Sequence, residues 1–404
     1  MRQIKIKIKF MLQSEKISSI RCLVTIVLLL LNINILSCKQ PAIKEETKLS
    51  EPINSQDKEN DSSAYVVELV ADNLYVPWSI AFTDPGRMLF TERNGSLRII
   101  KDGKLIAKPL KDFEEVSSKG EEGLMGLALD PDYKNNKYIY LSYAYPEDDE
   151  LKVRIVRYID NDTELTDEKI IIDGLPAERY HAGCRIKFGP DGKLYITTGD
   201  AGKRELAQVK NSLYGKILRL NSDGTVPSDN PFPGNPVWSY GHRNSQGIDW
   251  YPGTDIMYST EHGPSGFDGP GGGDEVNIIV KGGNYGWPVV SHKESEEGMI
   301  SPALEFTPAI APAAGIFYRS DSIKQFKNNF FFGCLRGSGI MRVIVDEKDP
   351  VKIISYKKLN DVNYGRIREV TEGPGGSIYF STSNRDGRGS VREGDDKIYR
   401  IRAE

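Results

Sequence analysis

Alternating apolar and polar residues recur along the chain, and each alternating stretch follows a turn rich in Asp, Pro, Gly or Asn. The pattern occurs in TDPGRMLFTERNGSLRII (83–100), DPDYKNNKYIYLSYA (130–144), GPDGKLYITTGD (189–200), YPGTDIMYSTEHG (251–263), FKNNFFFGCLRGSGIMRV (326–343) and GPGGSIYFSTSN (373–384). A period of two residues is typical of a half-buried strand, and Gly/Asn/Asp clusters are typical of hairpin turns. The pattern predicts an all-β protein.

Six similar units at intervals of some tens of residues indicate radial repetition. We therefore expect a six-bladed β-propeller with four-stranded antiparallel blades. A β-sandwich or an irregular all-β fold is the alternative. In a propeller, loops at one end of the central channel converge, so residues distant in sequence can form one site.

The first 63 residues differ in composition from the rest. Basic residues precede an apolar run, LVTIVLLLLNINIL (23–36), which ends before Cys38 and is short for a membrane span. The run resembles a bacterial lipoprotein signal, with residues 1–37 removed and Cys38 lipidated; a plain secretory signal or an uncleaved anchor helix is the alternative. Residues 38–63 are polar and charged, as in a flexible tether.

The lipoprotein interpretation predicts an exported protein that is periplasmic or on the cell surface and contacts a membrane only through its lipid. We expect the folded domain to comprise residues 64–404. The formal net charge of −4 and the absence of a basic, aromatic-rich stretch indicate that nucleic acid is not a partner. Cys184 and Cys334 either pair or remain free buried thiols.

Four polar stretches are unusually rich in arginine or glycine: RYHAGCR (179–185), YGHRNSQG (240–247), TEHGPSGFDGPGGGDEVN (260–277) and YGRIRE (364–369). Arg366 and Arg368 are two apart, so on a strand they point to the same side, which suits a ligand with carboxylates or phosphates. Two solvated surface arginines are the alternative. The glycine-rich loop offers carboxylate and carbonyl oxygens suited to Ca²⁺, or is simply flexible.

Several motifs occur in a characteristic order: PWSIAF, EEGLMGLALDPDY, HAGCRIKFGPDGKLYITTGD, YGHRNSQGI, EHGP with GGDEVN, GGNYGWP and GRIRE. Together they resemble the soluble sugar dehydrogenases that depend on pyrroloquinoline quinone (PQQ), the glucose/sorbosone and aldose sugar dehydrogenases. The resemblance extends from about Tyr65 to the C-terminus. It implies a six-bladed β-propeller that oxidises aldoses at C1 to lactones with PQQ and Ca²⁺, and passes electrons to an external acceptor that the sequence does not identify.

The resemblance also implies roles for individual residues. His181 matches the base that removes the proton of the anomeric hydroxyl, and Asp200 the carboxylate that orients it. Arg243 matches the arginine beside the quinone's C5 oxygen. The remaining matches are positions that contact the cofactor or hold Ca²⁺ through backbone carbonyls. The cofactor positions are Asn244, Gln246, Arg366 and Arg368, and the carbonyl positions are Gly263 and Pro264.

The chain also departs from the family pattern. Glu121 stands where relatives have a cofactor-site glutamine, and Arg336 best matches the cofactor lysine. Phe306 and Thr307 stand where relatives have a tryptophan or tyrosine that covers cofactor and sugar; a phenylalanine can still stack there but offers no polar group. Ser295 stands where some relatives have an acidic residue that helps a second calcium. Two other functions therefore stay open: a propeller that has lost PQQ and binds a ligand or glycan, and a calcium-dependent lactonase.

Overall fold

The computed structural model describes residues 65–404. The predicted signal (1–37), the lipidation site Cys38 and the tether (38–63) lie outside the described residues. Within residues 65–404, no helix is long and apolar enough to cross a bilayer.

The strands form six antiparallel sheets, which confirms the predicted six-bladed propeller. Blade 1 contains β2 (Pro77–Asp84), β3 (Arg87–Glu92), β4 (Ser96–Lys101) and β5 (Lys104–Leu105), with β6 (Lys111–Asp112) also paired to β4. Blade 2 contains β7 (Leu124–Leu129), β8 (Tyr138–Glu147), β9 (Glu150–Asp160) and β10 (Leu165–Pro176). Blade 3 contains β11 (Ile186–Phe188), β12 (Leu194–Thr198), β13 (Lys216–Leu220) and β14 (Val237–Tyr240).

The other three blades complete the ring. Blade 4 contains β15 (Ser245–Trp250), β16 (Met257–Glu261), β17 (Asp274–Ile279) and β18 (Leu304–Phe306). Blade 5 contains β19 (Pro312–Phe317), β20 (Phe330–Cys334), β21 (Gly339–Val345) and β22 (Ile353–Lys358). Blade 6 contains β23 (Ile367–Glu372), β24 (Ile378–Thr382), β25 (Ile398–Ala403) and, from the other end of the propeller domain, β1 (Tyr65–Ala71). Helical structure in the described part is limited to α1 (Tyr133–Asn136) and three short 3₁₀ turns (Arg204–Gln208, Lys324–Phe326 and Pro374–Gly376).

The sixth blade closes the ring, because its outermost strand is β1. β1 pairs antiparallel with β25, with Tyr65 opposite Ala403 and Val67 opposite Ile401. The first strands of neighbouring blades contact one another around the axis, except that blade 3 contacts β15 of blade 4 through its second strand, β12. Closure in this way joins the two ends of the propeller domain in one blade.

Each blade packs on the next through a cluster of buried apolar side chains. Alternation along the strands places Tyr140 and Leu218 between blades 2 and 3, and Phe331 and Phe380 between blades 5 and 6. Equivalent clusters fill the other four interfaces. Since burial of apolar area is the main stabilising contribution to folding, the stability of the propeller resides in these interfaces. The loops are consequently free to carry function.

Two kinds of loop meet at one end of the channel. In an antiparallel blade, the chain entering the first strand and the chain leaving the second strand lie at the same end of the sheet. The entering segments carry Glu121, His181 and Arg366, and the leaving segments carry Asp200 and Arg336. Topology therefore explains why the predicted site residues, far apart in sequence, come together.

Candidate active site

A cavity of about 470 Å³ opens at this end of the channel. Seven of the residues predicted for the site line it: Glu121, Gln246, Gly263, Pro264, Arg336, Arg366 and Arg368. His181, Asp200, Arg243 and Asn244 do not line it but lie buried beside it. Two of them are joined to it by hydrogen bonds, from the His181 N–H to Glu121 (3.1 Å) and from Gln246 Nε2 to Asn244 Oδ1 (2.9 Å). The structure thus places the predicted residues in and around a single cavity.

His181 and Asp200 form a buried pair. The imidazole Nδ1 lies 2.7 Å from Asp200 Oδ1, and Trp287 Nε1 donates to Asp200 Oδ2 at 2.8 Å. Burial by itself raises the pKa of Asp200, but His181, the Gly202 N–H and Arg243 outweigh it and lower that pKa below its usual value. An ionised Asp200 holds the Nδ1 proton of His181, which leaves Nε2 as the nitrogen able to accept a proton.

The backbone around His181 is under local constraint. His181 has a φ of +53°, in the left-handed region that non-glycine residues seldom adopt. Its carbonyl passes so close to Gly199 that a Cβ there would lie 1.8 Å from the oxygen. A strained residue held by close packing is typical of a functional site, because the fold fixes its orientation. Tyr180 packs edge-on against the ring at 4.9 Å between centroids.

Arg243 is buried and held by the glycine-rich loop. Its Nε donates to Asp268 Oδ2 at 2.8 Å, Nη1 to the His262 carbonyl at 3.1 Å and Nη2 to Ser265 Oγ at 3.0 Å. Nη2 also lies 2.7 Å from Asp268 Oδ2, so these contacts use four of the five N–H donors of the guanidinium and leave one Nη1 hydrogen without a partner among the described residues. Asp268, which sequence reasoning did not single out, therefore sets the position of Arg243 and partly balances its charge.

Arg366 and Arg368 line the same cavity but differ in their partners. Arg366 donates through Nε to Asp386 Oδ2 at 2.7 Å and through Nη1 to the Leu335 carbonyl at 2.8 Å. Arg368 has one hydrogen bond, from Nη1 to Gln246 Oε1 at 2.8 Å, and its buried Nε has no partner within residues 65–404. Burial lowers the pKa of Arg368 to about 9. An under-paired buried guanidinium indicates that an anion belongs beside it.

Gly263 and Pro264 present backbone at the cavity wall. Asp274 fixes this segment, because its Oδ1 accepts the Gly263 N–H at 2.8 Å and its Oδ2 accepts the Ile310 N–H at 2.7 Å. In the described part of the chain, no hydrogen bond ends on the Gly263 carbonyl. Residues 65–404 contain no cluster of three His, Cys, Asp or Glu side chains arranged for a metal. A metal bound at this wall would therefore need backbone carbonyl oxygens among its protein ligands.

Phe306 does not occupy the place expected for it. The sequence suggested that it stacks over the site, but it is buried between blades 4 and 5, with ring centroids 5.3 Å from Tyr356 and 6.1 Å from Phe332. Alternation along β18 turns Leu304 and Phe306 to the blade interface. Thr307 accepts the Gly273 N–H at 2.9 Å and so supports the glycine-rich loop instead.

The two cysteines of the propeller are free thiols. Cys184 and Cys334 are both buried, and burial raises the pKa of each to about 12. They belong to two different hydrophobic clusters. The structure therefore decides the earlier alternative in favour of unpaired, unreactive core residues.

Sequence reasoning also missed several cavity residues. Arg93, His262, Asp386 and Arg388 line the cavity, and Trp287 contacts Asp200. Each of the first four follows the second strand of its blade, where Asp200 and Arg336 also lie. Inspecting the residues that follow the second strand in each of the six repeats would have identified these four.

The fold and site together define a class of protein: a propeller with a buried His–Asp pair beside an arginine-lined cavity suited to an anion. Residues 74–398 match the family model described as glucose/sorbosone dehydrogenase, and the chain belongs to that family.

Relatives and solved structures agree with this assignment. Aldose sugar dehydrogenase of Escherichia coli is 33% identical over 80% of this chain and 91% of its own. The PQQ-bound aldose sugar dehydrogenase of Streptomyces coelicolor is 32% identical, with a TM-score of 0.74 over 85% of this chain and 99% of that one. The crystal structure of an oxidoreductase (glucose dehydrogenase) from Thermus thermophilus matches with a TM-score of 0.76 over 83% of this chain and 99% of that one, and the two sequences are 39% identical.

Proposed function

We propose that this protein oxidises aldose sugars at C1 to lactones, using PQQ with the assistance of Ca²⁺ and passing the electrons to an external acceptor. The observation that carries the proposal is the under-paired Arg368 in a cavity beside the His181–Asp200 pair. An anion-binding cavity and a general base lie next to each other, which an anionic redox cofactor and a hydroxylated substrate both require.

The residues of the cavity fit PQQ, a tricarboxylate. Arg366 and Arg368 supply guanidiniums on one wall, and the buried Arg368 Nε is without a partner among the described residues. Asn244 Nδ2 is likewise buried and unpartnered, so it has a donor to offer. Gln246, Arg336 and Glu121 complete the set that would contact the cofactor. When bound, PQQ supplies a two-electron acceptor for the hydrogen at the sugar's C1.

His181 performs the proton chemistry in this proposal. Its Nε2 takes the proton of the anomeric hydroxyl as C1 is oxidised, and Asp200 stabilises the imidazolium that results. The remaining N–H of Arg243 would stabilise negative charge next to the base. The constrained backbone at His181 keeps the imidazole in one orientation, so little reorganisation is needed on reaction.

Ca²⁺ is proposed at the carbonyls of Gly263 and Pro264. Ca²⁺ accepts backbone carbonyl oxygens in flexible geometry, and the Gly263 carbonyl has no hydrogen-bond donor within residues 65–404. Asp274 lines the cavity next to them and holds the Gly263 N–H, so it keeps the segment in place.

We also propose that the protein is exported as a periplasmic or cell-surface lipoprotein attached through Cys38, with residues 38–63 as a tether. The proposal is supported by the sequence of residues 1–38, in which basic residues are followed by an apolar run and then by Cys38. Cys38→Ser should move the protein from the membrane fraction to the soluble fraction of cells. If it stays in the membrane fraction, the anchor is not the lipid.

The test of the activity uses residues 64–404 prepared as apoprotein. PQQ is titrated in the presence of Ca²⁺ while the quinone absorbance is followed, and a panel of aldoses is then added. Stoichiometric binding followed by bleaching of the quinone by an aldose is the expected result. Binding without reduction by any aldose would point to another alcohol as substrate, and no binding would remove PQQ from the proposal.

A further inference from the structure

Arg93 lies directly after β3, at the same topological position as Asp200 and Arg336 in their blades. Its side chain lines the cavity and is only 6% exposed. Within residues 65–404 its guanidinium makes no hydrogen bond and no ion pair, and its Nε is fully buried. Arg98, a few residues later, differs in that its Nη1 pairs with Glu92 at 2.9 Å.

The backbone and the side-chain stem of Arg93 are held in place by neighbouring residues. The Arg93 N–H donates to the Val76 carbonyl at 3.2 Å, and the Arg93 carbonyl accepts the Leu124 N–H at 3.0 Å, so its backbone is fixed between blades 1 and 2. Gly123 lies against the side-chain stem, because a Cβ there would come within 2.4 Å of Arg93 Cγ. The glycine therefore allows the stem to lie flat along the cavity wall.

Arg93 and Arg368 are close enough to affect each other's charge. Burial is the main cause of the lowered pKa of Arg368, and the positive charges of Arg366 and Arg93 add to it. The negative charges of Asp386 and Glu121 act in the opposite direction, but within residues 65–404 each pairs with another arginine. Two buried guanidiniums with no ion pair of their own repel each other and have lost hydration, which destabilises the folded state unless an anion is bound. Two other arginines of the cavity do have ion-pair partners, since Arg366 pairs with Asp386 and Arg388 with Glu121.

We propose that Arg93 is a further cofactor-binding residue, which together with Arg368 holds a carboxylate of the tricarboxylate ligand. The inference rests on the proposed function and extends it to a residue outside the motifs that define the site. It has a thermodynamic consequence: Arg93 lowers the stability of the apoprotein and raises the affinity for the anion. A purely structural arginine would do neither.

The test compares Arg93→Met with the parent and with Arg98→Met. Methionine keeps the unbranched stem beside Gly123 and removes the charge and the donors. We expect the dissociation constant for PQQ to rise about 10- to 100-fold, the range for a lost hydrogen bond between charged groups. We also expect the melting temperature of the Arg93→Met apoprotein to equal or exceed that of the parent. Arg98→Met should instead lower the melting temperature and leave PQQ affinity unchanged.

The outcomes are separable. PQQ affinity within twofold of the parent, or a clear fall in the melting temperature of the apoprotein, would overturn the role of Arg93 and leave the proposed function in place. A parent that binds no PQQ would overturn both. If Arg93→Met gives no folded protein, Arg93→Lys keeps one charge but not the planar fork, and unchanged PQQ affinity in that variant would likewise contradict the inference.

Discussion

Arg388 Nη1 lies 2.6 Å from Glu121 Oε1, and this ion pair joins the loop after β24 to the loop before β7 at the wall of the cavity. The other oxygen of Glu121 accepts the N–H of His181. Burial by itself raises the pKa of Glu121, but Arg388, His262 and His181 outweigh it and hold that pKa below its usual value. The carboxylate that stands where relatives have glutamine is thus charged, and Arg388 compensates it.

Glu121→Gln should therefore strengthen the binding of PQQ. The amide oxygen of the glutamine still accepts the His181 N–H. The substitution removes one negative charge from the cavity in which the tricarboxylate is proposed to bind, and Arg388 loses its ion-pair partner and can pair with the ligand. We expect the dissociation constant to fall about 3- to 10-fold, with a larger change at low ionic strength. The loss of a half-exposed ion pair should change stability by less than about 1 kcal/mol. Arg388→Gln is the matched control and should weaken binding. Weaker binding in both variants would instead mean that the charge of Glu121 helps to hold the cofactor.

Asp200→Asn should separate catalysis from binding. The amide cannot stabilise the imidazolium of His181 and favours the wrong tautomer, so proton removal from the sugar becomes slow. Turnover should fall by about 10²- to 10⁴-fold, the usual contribution of a positioned acid–base group. Equilibrium titration should give a PQQ affinity close to that of the parent, since Asp200 does not line the cavity. Turnover within a factor of a few of the parent would contradict the role of the pair.

The sequence predicted the fold well because the determining information is local and repeated. Each of the six alternating segments contains or reaches the second strand of a blade, as in MYSTE (257–261) and IYFST (378–382). Arg366 and Arg368 were predicted to share a face, and both line the cavity.

The parts of the site that escaped prediction depend on relations between blades. Arg93 follows the strand in LFTE much as Asp200 follows the strand in YITT, but only the ring of blades shows that Arg93 lines the cavity while Asp200 lies beside it. Asp386 and Asp268 became visible as counterions of Arg366 and Arg243 only from distances. The expectation that Phe306 stacks over the site was wrong. The sequence pattern shows only that Phe306 and Leu304 share one face of their strand, and it does not show that blade 5 packs against that face.

Asp386 should give the apoprotein a measurable dependence of stability on pH. Burial by itself raises the pKa of Asp386, but the ion pair with Arg366 outweighs it and lowers that pKa. A group whose folded pKa is lowered stabilises the protein above the unfolded value, about pH 4, and loses that contribution as pH falls through the folded value.

Asp386→Asn should accordingly lower stability at neutral pH, by about 3 kcal/mol if the ion pair behaves as a typical buried one. The difference from the parent should stay constant from pH 8 to about pH 5 and shrink below about pH 4. Thermal melts across this range provide the measurement. Asp255→Asn, at an exposed position, is the control and should show no such convergence. A parent–variant difference that did not narrow in acid would contradict the assignment.

Removal of calcium tests the carbonyl site without touching the arginines. If Gly263 and Pro264 hold Ca²⁺ against the cofactor, apoprotein treated with EDTA should fail to reconstitute with PQQ, and Ca²⁺ should restore it better than the smaller, more rigidly octahedral Mg²⁺. Gly263→Ala should have the same effect, because its Cβ would lie 2.2 Å from the Gly273 carbonyl and displace the segment. Gly271→Ala is the control in the same loop, since the nearest atom to its Cβ is 4.0 Å away. Reconstitution that proceeds equally well in EDTA would mean that the arginines alone hold the cofactor.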